Sequence, residues 1–220
     1  MINTIIFDFF GVMSTEVAPF LFAEVFEPEE AKRLKEEYMQ PADRGDVSER
    51  ELYDRLGQLF SRTGEEVEAD FLRRAVIDRS MIDLAVSLKK DYRVCLLSNA
   101  PCGFLDKVFA REGLDGIFEP RIVSCEVGMI KPSPEIFEHL LGVVGISPAE
   151  AVFIDDNEKN SAAASALGIH GITFKGREAL ISELSALGIN ITSGGNGERV
   201  LDISVSTGDV NVTFKKLYDL

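Results

Sequence analysis

Short apolar runs that each stop at a polar residue constrain this chain more than any other feature. Thr4-Ile5-Ile6-Phe7 stops at Asp8, Cys95-Leu96-Leu97 at Ser98-Asn99, and Val152-Phe153-Ile154 at Asp155-Asp156. Continuous apolar runs of this length, rich in β-branched residues, suit strands buried on both faces. After residue 90 such runs alternate with helical segments. Strands are expected over 92–97, 121–127, 151–154 and 171–174, and helices over 103–112, 134–144, 159–167 and 177–187. The implied class is α/β: a three-layer, doubly wound parallel sheet with right-handed crossovers and helices on both faces.

The stretch 14–85 carries no strand signal. Pro28 can open a helix through Glu37, and Ser48 with Glu51 and Thr63 with Glu66 have capping-box spacing ahead of apolar residues at helical intervals. This stretch reads as a helical cap inserted after the first strand, so the core is expected at 1–13 and 86–190. The remainder, 191–220, alternates apolar and polar residues around Ser206-Thr207-Gly208-Asp209 and reads as a β-hairpin-like extension.

Charge narrows the partners. The 220 residues hold 37 acids against 23 bases, a net −14, which argues against broad nucleic-acid binding and against adhesion to anionic membranes. The inserted stretch alone holds 18 of the acids and 10 of the bases, mostly solvated helix faces. No apolar run is long enough to span a membrane. The start, Met-Ile-Asn-Thr-Ile-Ile-Phe-Asp, lacks the basic region of a signal peptide. Cys95, Cys102 and Cys125 are too few and too scattered for a disulfide framework, so reduced thiols in a cytoplasmic protein are expected, as a monomer or homodimer.

In an open parallel sheet, ligands bind beyond the carboxyl ends of the strands. Asp8, Ser98, Asn99, Asp155 and Asp156 would meet at that edge, together with Lys131 from Gly128-Met129-Ile130-Lys131-Pro132. Three crowded carboxylates raise one another's pKa unless a cation neutralises them, and all-oxygen ligands suit Mg²⁺. Lys131 could pair with Asp8 and hold an anion, Ser98 and Asn99 could donate to phosphate oxygens, and a carboxylate here could be a covalent nucleophile.

The four segments FDFFGV, LLSNA, GMIKPSPEIF and FIDDNEKN, in this order, resemble the motifs of the haloacid dehalogenase-like superfamily over about residues 1–188. The helical insertion also lies where that family carries its cap. The resemblance implies a Mg²⁺-dependent hydrolase of a small phosphomonoester, with sugar phosphates among the substrates it suggests. In it, Asp8 is nucleophile and metal ligand, and the Phe10 carbonyl, Asp155 and Asp156 complete the metal site. Ser98, Asn99 and Lys131 hold the phosphoryl group.

One position departs from the pattern. Family phosphatases usually carry an acid-base Asp two residues after the nucleophile, and this chain has Phe10. Losing a placed proton donor costs about 10²–10⁴-fold, so good leaving groups, such as anomeric or acyl phosphates, are expected. Two alternatives stand beside the phosphatase. One is a metal-independent 2-haloacid dehalogenase, whose halide needs no proton; the other is a low-activity phosphate-binding or scaffold protein. Asp156 and the Asn160 in place of a dehalogenase-type Asp favour the phosphatase. Glu16, Arg44 and Cys102 lie where a cap or loop can reach substrate, yet each reads as surface, and His139 and His170 read as structural or solvated.

Overall fold

The computed structural model describes residues 1–191. The hairpin expected in the extension falls on 192–220, outside the described residues. Five parallel strands form one sheet in the order β3-β2-β1-β4-β5: β1 Thr4–Phe7, β2 Arg93–Ser98, β3 Arg121–Val123, β4 Ala151–Asp155 and β5 His170–Thr173. The α/β class and the doubly wound topology follow directly.

Alternation along the strands explains why both faces are covered. Ile5, Phe7, Val94, Leu96, Val152 and Ile154 face one core, which includes helices α5 Arg79–Leu88, α6 Phe104–Glu112 and α10 Arg177–Ala186. Ile6, Cys95, Leu97 and Phe153 face the other, against α8 Pro134–Val144 and α9 Glu158–Ala166. The central strands β1, β2 and β4 are therefore apolar over their middle residues, and the polar residue that follows marks where each leaves the core.

Helices α1 Ala18–Ala23, α2 Pro28–Arg44, α3 Glu49–Phe60 and α4 Gly64–Arg74 also lie between β1 and β2. The Thr63–Glu66 box forms in full, whereas at Ser48 only the side chain accepts, from Glu51 N. Helix α2 continues beyond Glu37 through Pro41, because Met39 and Ala42 are buried and Gly45, at φ 84°, caps the end. Helix α5 contacts β2 on the sheet itself.

Two expectations fail near β3. The strand stops at Val123, and Ser124–Val127 forms a one-turn helix, α7, closed by Gly128 at φ 69°. The alternation Val123, Cys125, Val127 imitated a strand, but Ser124 is fully buried and its hydroxyl donates to the Asp43 carbonyl at the end of α2. Secondly, Cys102 and Cys125 form a disulfide, with Cα atoms 5.5 Å apart, and only Cys95 is free. The scatter in sequence was misleading: 23 residues is one crossover between neighbouring strands, so both cysteines arrive at the same edge. Among the described residues, no helix is long and apolar enough to cross a membrane.

Candidate active site

The strand register brings the polar ends together. Phe7 pairs with Leu96 and with Ile154, so Asp8 emerges beside Asp155, and its N–H donates to the Ile154 carbonyl at 2.9 Å. Carboxylate oxygens of Asp8, Asp155 and Asp156 all lie within 4.8 Å of one another.

Lys131 is buried between two of them, its Nζ 2.7 Å from Asp8 Oδ1 and 2.7 Å from Asp155 Oδ2. Burial alone would push this ammonium down, but the two carboxylates hold it above the ordinary lysine value. Asn99 fixes the loop that carries it: Lys131 N donates to Asn99 Oδ1 at 2.9 Å, and Asn99 Nδ2 donates to the Lys131 carbonyl at 3.0 Å. Asp155 is fully engaged, since Asn157 N and Asn160 Nδ2 donate to Oδ1 at 2.9 Å each and Asn160 Nδ2 also reaches Oδ2 at 3.0 Å.

A tight turn places Asp156 against the first loop. The Phe9 carbonyl accepts from Met13 N at 2.8 Å and Ser14 N at 2.9 Å, and Gly11 takes φ 75°, a conformation open to glycine at little cost. A Cβ on Gly11 would stand 2.3 Å from Asp156 Oδ2.

These contacts allow a test of whether a divalent cation fits. Asp8 Oδ1 receives Phe9 N at 2.6 Å as well as Lys131, while no described donor reaches Oδ2. The Asp156 carboxylate has no side-chain donor among the described residues, and the Phe10 carbonyl accepts no backbone hydrogen bond from them. One ammonium against three carboxylates also leaves two negative charges uncompensated, the balance a divalent cation would close. The oxygen-only donors Asp8, Phe10 and Asp156 fit Mg²⁺.

The site opens into a cavity of about 160 Å³ lined by Asp8, Asn99, Lys131, Asp156 and Asn160 on the sheet side. Ser98 ends β2 but is fully buried, its Oγ 3.5 Å from the Asn99 carbonyl, and it does not line the cavity. An aromatic file forms one flank: Phe10 lies 5.8 Å from Phe104, which lies 6.3 Å from Phe71 on α4. Glu16, Lys35 and Asp43 form the opposite, charged flank. Glu16 is thus half-buried in the cavity wall, where a surface residue was expected. Burial and the nearby Asp156 carboxylate push its carboxyl up to about 7. Burial likewise pushes Asp43 up to about 7, against the pull of Lys35. Lys35 and Asp43 left no signal in the sequence, being two charges among many on a helix. Arg44 is exposed, and Cys102 is held in the disulfide.

Known proteins are similar to this chain in sequence and fold. A family model described as haloacid dehalogenase-like hydrolase matches residues 2–168. A sesquiterpene phosphatase of Aspergillus oryzae is 29% identical over 190 residues, covering 83% of this chain and 94% of that protein. A D-ribitol-5-phosphate phosphatase of Bacteroides thetaiotaomicron is 29% identical over 184 residues, covering 76% and 89%. Against some longer curated relatives the match covers only 20–28% of their length. Among solved structures, a HAD family enzyme of B. thetaiotaomicron in complex with magnesium and inorganic phosphate superposes with TM-score 0.68 at 26% identity, covering 80% of this chain and 95% of that one.

Proposed function

The chain belongs to the haloacid dehalogenase-like hydrolases, and from that membership we propose that it is a Mg²⁺-dependent phosphatase of a small phosphomonoester, acting through an aspartyl-phosphate at Asp8. The observation that carries this reading is the pairing pattern at the sheet edge. Asp8 keeps one oxygen free beside Asp156 while Lys131 neutralises the other. The two full-length relatives named as phosphatases support it.

In this reading Asp8, the Phe10 carbonyl and Asp156 hold Mg²⁺, which when bound supplies charge neutralisation for the phosphoryl oxygens. Asp155 serves through Lys131, holding the ammonium where it meets both Asp8 and the incoming phosphoryl group. Asn99 positions the same lysine through its backbone. Of the two residues expected to meet the phosphoryl group, Asn99, just after β2, lines the cavity and stays a proposed contact, whereas Ser98 is buried off it. An Asp8 carboxylate oxygen attacks phosphorus as the ester P–O bond breaks and the leaving oxygen takes up a proton. Water then attacks phosphorus, giving up a proton, and the bond to Asp8 breaks to release phosphate and restore the carboxylate. Helices α1–α4 act as the cap, closing the cavity over the sheet edge. In a reducing cytoplasm, the location we propose, Cys102 and Cys125 would stand as neighbouring thiols.

The test is phosphate release from a panel of small phosphate esters with Mg²⁺ and with chelator. Release that stops on chelation is expected. Chelator-insensitive turnover overturns the metal role, and chloride release from 2-chloropropionate without metal favours the dehalogenase instead.

A further inference from the structure

The charged flank of the cavity has no partners for its charges. Glu16, Lys35 and Asp43 make no side-chain hydrogen bond or ion pair with the described residues, yet all three line the cavity that holds Asp8. Several charges on the neighbouring helices are tied down: Arg74 pairs with Glu24 and Asp70, and Glu49 and Glu68 with Lys107. Cleaving an alkyl phosphate expels an alkoxide, which needs a proton as its bond to phosphorus breaks. On the sheet side no group is free to give one. Asp8 is the nucleophile, Asp156 belongs to the cation, Lys131 is shared by two carboxylates, and position 10 is a phenyl ring.

Glu16 is the acid on the charged flank best placed to act. Its segment is fixed on both sides. Thr15 N donates to the Val76 carbonyl at 3.0 Å, Val76 N donates back to Thr15 Oγ1 at 3.0 Å, and Val17 is buried. Glu16 lines the cavity together with Asp8, Lys131 and Asp156 of the sheet edge, and Asp156 is the first charge that bears on it. The charges that bear on Asp43 are Lys35, Glu16 and Lys131, without Asp156.

Building on the phosphatase reading, we propose that Glu16 is the catalytic acid and base that this chain uses in place of a carboxylate at position 10. In the first step Asp8 forms the bond to phosphorus, the ester P–O bond breaks, and the Glu16 proton passes to the leaving oxygen, giving the alcohol and the Glu16 carboxylate. In the second, water attacks phosphorus and gives its proton to Glu16, and the bond between phosphorus and Asp8 breaks to release phosphate. Burial, the larger cause, raises the Glu16 carboxyl and so favours the protonated form that the first step needs. The substrate class widens accordingly, from activated phosphates to ordinary phosphorylated alcohols and polyols.

The test compares Glu16→Gln with the parent on two esters, an alkyl phosphate such as glycerol phosphate and p-nitrophenyl phosphate, whose leaving group needs no proton. The first-turnover release of the leaving group, read before water frees phosphate from Asp8, is expected to fall by about 10²-fold or more for the alkyl ester and by less than about 3-fold for the aryl ester. Equal loss on both esters overturns the Glu16 role alone and leaves the phosphatase intact. Selective alkyl loss in Asp43→Asn, without it in Glu16→Gln, also overturns it. A parent that releases phosphate from neither ester overturns the phosphatase reading, and the Glu16 role with it. Glutamine keeps the shape of the side chain, and matching thermal melts of variant and parent show that the fold is kept.

Discussion

The two walls of the cavity differ in how their charges are settled. On the sheet side every buried charge has a partner: Lys131 meets Asp8 and Asp155, and Asp155 also meets Asn157 and Asn160. On the helical side Glu16, Lys35 and Asp43 stand unpaired at the cavity surface. Fixed, preorganised charge suits a wall that stabilises the same phosphoryl group in every turnover. Unpaired charge is costly to bury and is retained where a substrate or a proton completes it. The difference assigns the common chemistry to the sheet and the individual chemistry to the helices.

Breaking the paired wall should have the largest effect. Lys131→Ala leaves two buried carboxylates without their cation, and chemical denaturation with chelator present should show a loss of about 3–5 kcal/mol. Phosphate release should fall with it. A loss within 1 kcal/mol, roughly a surface pair's worth, would mean that the wall is not preorganised by this lysine.

A smaller effect is expected where the wall is held by backbone alone. Gly11→Ala puts a Cβ at φ 75° into the Asp156 carboxylate, so Mg²⁺ affinity measured by calorimetry should weaken by about tenfold or more, and the backbone strain of about 1–2 kcal/mol should lower the melting temperature by only a few degrees. Unchanged Mg²⁺ affinity would separate Asp156 from the cation.

The helical wall offers the mildest test. Asp70 on α4 is buried and accepts from Arg62 at 2.8 Å, from Arg74 at 2.8 Å and from Arg73. Burial pushes its carboxyl up, but the hydrogen bonds from Arg74 and Arg62 outweigh it and hold it below the usual range. A depressed carboxyl contributes stability above its unfolded pKa of about 3.9 and loses it as pH falls through the lower native value. Asp70→Asn should therefore lower stability by about 1–3 kcal/mol at neutral pH, with the difference from the parent shrinking below about pH 4. A difference that does not change with pH would show that packing, not charge, ties this helix down.

The same contrast decided what could be read in advance. Asp8, Asn99 and Asp156 were visible because a buried parallel strand has one place at which it leaves the core, and the sheet brings those places to one edge, which the loop ahead of α8 reaches with Lys131. Position in the chain then translated into position in space. No such rule governs the helical wall. Lys35 and Asp43 sit on amphipathic helices with many solvated charges, and only the packing of α2 against the loops says which two turn inward. Glu16 was noticed and set aside for the same reason. The Cys102–Cys125 pair was missed because spacing was weighed without the sheet order, and the early end of β3 because alternating apolar residues also fit one helical turn capped by Gly128.

The central claim, a phosphoryl group carried on Asp8, is met most directly by acid-quenched intact-mass measurement during turnover of p-nitrophenyl phosphate with Mg²⁺. The account predicts one added phosphoryl group on the parent protein, located by peptide mapping to Asp8, and none on Asp8→Asn. Phosphate release at an undiminished rate from Asp8→Asn, or an added phosphoryl group on another residue, would contradict it.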